Sequence, residues 1–132
     1  MNTPNDAKFA FAELKLLDPS KVELVFNDRI EVSGAMIDQI FAWIEAKTMT
    51  GRGLLINKIH DYCYSFDAQV KLANAGIFSC VAIVRADGQA QSLTRMAIES
   101  LVKPEHAVEV RVFTGRDEAL QWLVKKLGIT FY

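Results

Sequence analysis

Leu54-Leu55-Ile56-Asn57-Lys58-Ile59-His60-Asp61-Tyr62-Cys63-Tyr64-Ser65-Phe66-Asp67 sets the reading of the whole chain. It opens as an apolar run without alternation, the pattern of a strand covered on both faces. Polar and aromatic residues then crowd a connection. Ser65 or Asp67 next supplies a side-chain oxygen able to accept a free amide at a helix start. The stretch predicts a buried strand over Leu54 to Ile59, a loop, and a helix to about Asn74 with Gly76 as its stop. A strand buried on both sides and followed by a helix belongs in a parallel sheet with helices on its faces.

Toward the N-terminus, Gly51-Arg52-Gly53 breaks the preceding element. Ile37, Ile40, Phe41 and Ile44 recur at helical spacing, with Met36 and Trp43 widening the stripe and Ser33 placed to cap. This predicts a helix over about 34 to 48. Two extended segments come before it, Phe9 to Leu17 and Val22 to Phe26. They are joined by Asp18-Pro19-Ser20-Lys21, where proline presets the turn dihedral and Asp and Ser accept local hydrogen bonds. The reading is an antiparallel hairpin. Residues 1–8 are polar at the outset and are expected to form a flexible leader.

Toward the C-terminus, Ile77 to Val84 reads as another strand. Ser92 caps a helix with the stripe Leu93, Met96, Ala97 and Leu101, closed by Pro104, because proline disfavours helical geometry in the residue before it. Val108, Val110 and Val112 alternate with Glu109 and Arg111, the signature of a strand with one polar face. Thr114 to Asp117 resembles a capping box, and Leu120, Leu123, Val124 and Leu127 form the stripe of a last helix closed by Gly128. The order ββαβαβαβα predicts an α/β fold. It is a single domain over 9–132 with a mostly parallel five-stranded sheet, right-handed crossovers and an antiparallel N-terminal hairpin.

The 132 residues suit one domain, which at this size buries roughly two thirds of its unfolded surface without a metal or disulfide staple. A net charge of −1 argues against a nucleic-acid binder, which carries a basic excess. No apolar run reaches the ~18 residues of a membrane span, and the start lacks the layout of a signal peptide, so a cytoplasmic protein with reduced cysteines is expected. Cys63 and Cys80 match no zinc spacing, and neither a metal nor a cofactor is expected. Gly51-Arg52-Gly53 precedes a strand, whereas a dinucleotide fingerprint follows one.

In open α/β sheets ligands bind beyond the carboxyl ends of the strands, so topology directs attention to two loops. The candidate contact surface is Lys58, His60, Asp61, Tyr62, Cys63, Tyr64 and Ser65 from one loop with Arg85, Asp87 and Gln89 from the other. His60, Cys63 and Ser65 include the residue types of nucleophilic catalysis, but a working site gathers its groups from distant segments, and these crowd one loop. No enzyme is expected. An apolar pocket lined by residues such as Phe41, Trp43, Phe66, Phe78 and Met96 is the alternative to plain core packing at these positions. The open edge of the hairpin makes a homodimer a further expectation.

With these elements in order, the chain resembles the STAS domain, the fold of bacterial anti-sigma-factor antagonists, shared in outline with the lipid-binding SEC14 fold. Val110-Arg111-Val112-Phe113-Thr114-Gly115-Arg116-Asp117-Glu118-Ala119-Leu120-Gln121-Trp122-Leu123 is similar to the "vFtdrdeAlaWL" ending of small bacterial SpoIIAA-like proteins. Ser92 to Ala97 and Lys103-Pro104 are similar as well. The resemblance covers residues 9–126. It implies a regulatory or protein-interaction module, or alternatively a binder of a lipid or small apolar ligand. It also implies a phosphorylatable serine, near Ser65, at the start of the helix after the third strand. There the family pattern is roughly Asp-Ser-Ser-Gly and this chain has Tyr64-Ser65-Phe66-Asp67, so a helix cap is the expected role of Ser65.

Overall fold

The computed structural model describes residues 6–48, 52–60, 62–73, 78–85 and 109–127. Its main sheet is built from β1 (Asp6–Lys8), β2 (Ala12–Asp18), β3 (Lys21–Phe26), β5 (Arg52–Asn57), β7 (Phe78–Val84) and β8 (Glu109–Phe113), in that spatial order. β4 (Glu31–Val32) and β6 (Cys63–Tyr64) form a separate two-stranded parallel ladder. The helices are α1 (Gly34–Lys47), α2 (Phe66–Ala73) and α3 (Arg116–Leu127). The expected helix over Ser92 to Lys103 lies outside the described residues. Among the described residues no helix is long and apolar enough to cross a membrane.

The expected α/β architecture is present: an antiparallel β2–β3 hairpin, then parallel pairing from β3 through β5 and β7 to β8. The sheet has six strands, however, where sequence predicted five. The addition is β1, which falls in the stretch read as a leader. Asp6, Ala7 and Lys8 pair antiparallel with Lys15, Leu14 and Glu13, and Ala7 packs on the core. The physical reason is the free edge of β2, whose unpaired backbone groups accept another strand. Phe9 to Phe11, read as strand, form the turn between β1 and β2, with the Phe9 amide donating to the Ala12 carbonyl at 2.8 Å and the two rings stacked.

The two faces of the sheet follow from strand parity. Val22, Leu24, Leu54, Ile56, Val81, Ile83 and Val110 point to one face and are sealed by Ile37, Ile40 and Ile44 of α1 and by Ala68 and Leu72 of α2. Burying each such isoleucine or leucine contributes about 1.5–3 kcal/mol. Leu55, Cys80, Ala82 and Val84 point to the other face and meet Ala119, Trp122 and Leu123 of α3. β5 is thus apolar at consecutive positions because both faces are covered, as its sequence implies. Gly53 lies where α3 comes down: a side chain there would meet Leu127 Cδ1 at 2.6 Å and Leu123 Cδ2 at 3.2 Å, so those leucine ends would have to shift.

Candidate functional site

β5 and β7 are neighbours, with Asn57 opposite Val84, so the segments that leave them start side by side. The Lys58 amide donates to the Val84 carbonyl at 2.9 Å and the Arg85 amide to the Phe113 carbonyl at 2.8 Å. Topology therefore brings Lys58 and Arg85 to one corner at the carboxyl edge. Asp61, Asp87 and Gln89 lie outside the described residues.

From Lys58 the chain turns back onto the sheet. Tyr62 is buried, 6% exposed, with its ring 5.0 Å from Phe26, and Tyr64 meets Phe26 edge-on at 5.8 Å. The two tyrosines pack edge to face at 5.5 Å, and their hydroxyls share a hydrogen bond of 3.4 Å. Lys58 Nζ sits 4.1 Å from the Tyr62 ring centroid and 5.6 Å from that of Tyr64, and donates to the Tyr62 carbonyl at 3.4 Å. The electron-rich ring faces attract the ammonium. Burial pushes the Tyr62 phenol up to about 12, against a downward pull from the Tyr64 hydrogen bond and the nearby Arg85 charge. Tyr64 is raised as well, by burial first and then by Tyr62. Both phenols stay neutral at physiological pH. Tyr62, expected as part of a contact surface, is a core residue.

The segment is held a second time by the β4–β6 ladder. Cys63 pairs with Glu31 and Tyr64 with Val32; the Cys63 amide donates to the Ile30 carbonyl at 3.2 Å and the Ser65 amide to the Val32 carbonyl at 2.9 Å. Sequence showed no strand here, since a two-residue bridge leaves no periodicity to read. Arg29, on the turn into β4, has φ 57°, the left-handed region that a side chain rarely occupies. An open hollow of about 440 Å³ borders the ladder, lined by Arg29, Ile30, Glu31, Tyr62 and Cys63.

Ser65 caps α2. Its Oγ accepts the Ala68 amide at 3.1 Å and its carbonyl accepts the Gln69 amide at 3.0 Å. Ser33 plays the same part for α1, accepting the Met36 amide at 3.3 Å. The two helix starts are neighbours: a side chain on Gly34 would collide with the Asp67 carboxylate, and one turn on, Lys71 Nζ bonds both Asp38 oxygens at 3.1 Å. Ile59, His60, Cys63 and Phe66 are exposed. Among the described residues no hydrogen bond joins His60, Cys63 and Ser65, and no group of three His, Cys, Asp or Glu could hold a metal. Cys80 is buried on the opposite face of the sheet, where burial first and the Glu109 charge second push its thiol up to about 11.

A second polar assembly was not recognised from sequence. Glu23, 7% exposed on β3, accepts from Arg116 Nη2 at 2.7 Å, from Arg116 Nε at 3.0 Å and from Asn57 Nδ2 at 3.0 Å. Burial raises its carboxyl, but the hydrogen bonds from Arg116 and Asn57 outweigh this and hold it below the usual value. Lys21, 2% exposed, bonds Asp18 Oδ2 at 2.8 Å. The signal was present in Lys21-Val22-Glu23-Leu24-Val25-Phe26: charges at 21 and 23 interleave with apolar residues at 22, 24 and 26, so both charges share one face. Glu23 also borders a half-open hollow of about 380 Å³ on that face, lined further by Asp6, Lys8, Glu13 and Lys15.

No protein-family model matches the chain, and no curated protein matches it. Among solved structures it is similar to an uncharacterized DUF3478-family protein of Shewanella loihica with a SpoIIAA-like fold. The two are 18% identical with a TM-score of 0.56 over 93% of this chain and 98% of the other. The likeness gives the fold alone: this chain has a SpoIIAA-like fold, in agreement with the order of its elements.

Proposed function

We propose that the chain is a non-enzymatic regulatory module that acts through contacts with another protein, made by the connection from β5 to α2. One observation carries the reading. Among the described residues the exposed large hydrophobic side chains are Ile59 and Phe66, 66% and 73% exposed, and they flank the same short segment. Between them Tyr62 and Tyr64 pin the backbone to Phe26 and to the β4–β6 ladder. A fixed backbone that presents apolar side chains binds with less ordering cost than a floppy one. Lys58, His60, Cys63 and Ser65 supply polar groups around them, and Arg85 adds charge from the neighbouring strand end.

The lipid-carrier reading has weaker support. The space between the sheet and α1 is filled by Ile37, Ile40, Ile44, Leu54 and Ile56, and Phe41 meets Phe78 edge-on at 5.5 Å. Of the two hollows described above, the one beside Glu23 is lined largely by charged residues, and the one at the β4–β6 ladder is open to solvent rather than enclosed. Self-pairing through the sheet edge is also less favoured, since Asp6 and Lys8 place charges on β1, which blunts an edge strand. The proposed partner is therefore a different protein.

A photo-crosslinking residue at position 66, in native cells, should capture a protein that purified chain then binds directly. Ile59→Glu with Phe66→Glu should weaken that binding by about tenfold or more, as expected for central apolar anchors, with the circular dichroism spectrum unchanged. Undiminished binding by the double variant would overturn this surface. A copurifying apolar molecule in native mass spectra, with no protein captured, would favour the carrier. A dimer mass by light scattering would favour self-association.

A further inference from the structure

No further inference is drawn: the strongest candidate, the corner at the carboxyl ends of β5 and β7 where Lys58, Tyr62 and Tyr64 meet beside Arg85, belongs to the site already described, and nothing in the structure shows what ligand or partner covers it.

Discussion

Arg116, at the first position of α3, clasps Glu23 in β3 through three contacts of 2.7, 3.0 and 3.2 Å across 93 residues of sequence. The pair joins the last helix to the hairpin side of the sheet. The carboxylate is buried and the guanidinium is 40% exposed, so the two halves of the pair are not equivalent.

That asymmetry makes a prediction. Arg116→Met strands a buried carboxylate with Asn57 as its remaining donor, and should destabilise by about 2–4 kcal/mol. Glu23→Gln leaves a cation that can turn to water, and should cost about 1–2 kcal/mol. Urea denaturation of both variants and the double variant checks this; equal losses would show that burial of Glu23 does not matter. The pH dependence has a definite sign. The folded Glu23 carboxyl is depressed, so the stability it contributes is fully present above its unfolded value and is lost as pH falls through the folded one. The acid limb of the stability curve should therefore be steeper in wild type than in Glu23→Gln.

Gly34 and Asp67 make a second testable pair. A methyl group on Gly34 would overlap the Asp67 carboxylate, the end of an exposed side chain that can turn toward water, so Gly34→Ala should destabilise by no more than about 1 kcal/mol. Adding Asp67→Ala should recover most of the loss. Thermal melts of the two single variants and the pair measure the coupling; additive losses would refute the contact.

Tyr62 and Phe66 should part company although only three residues separate them. Tyr62→Ala removes a buried ring and should cost about 3–5 kcal/mol. Phe66→Ser changes an exposed side chain and should stay within about 0.5 kcal/mol of wild type. A large loss at Phe66 in chemical denaturation would mean that it is covered in the folded chain.

Ser65 is predicted to act as a cap. Ser65→Ala should cost about 0.5–2 kcal/mol, and Ser65→Asn, which keeps an acceptor, should recover most of it. Equal losses in the two variants would separate Ser65 from the cap.

The two thiols should be resolved by a disulfide reagent. Cys63 is exposed, whereas Cys80 is 2% exposed with its thiol pushed up to about 11. Since the thiolate is the nucleophile, native protein should release one equivalent of chromophore promptly and the second only on unfolding. Cys63→Ser should abolish the prompt phase. Prompt reaction of two thiols would contradict the burial of Cys80.

What was legible in the sequence was whatever repeats. The stripe Ile37, Ile40, Ile44 gave α1 to within a residue at its end, and the apolar run Leu54 to Ile56 gave the doubly covered strand. Neither β1 nor the β4–β6 ladder could be read this way, because two or three residues show no period and their pairing depends on neighbours distant in sequence. The same limit applies to the site. Residues 58 and 85 were brought together by topology alone. Which side chains in the connection face inward depended on the third dimension, and Tyr62 turned out to be an anchor where sequence suggested a contact. The charged pair of β3 was hidden by its position in an otherwise apolar strand, since only the parity of 21 and 23 distinguishes a shared face from scattered polarity.

The two-residue ladder has a mechanical consequence. Its amides at Cys63 and Ser65 are spent on carbonyls of residues 30 and 32, immediately ahead of α1. The proposed contact segment is thus tied directly to the residues that lead into the first helix. Hydrogen exchange at the Cys63 and Ser65 amides would then work as a strain gauge for α1, placed directly beneath the surface a partner would touch.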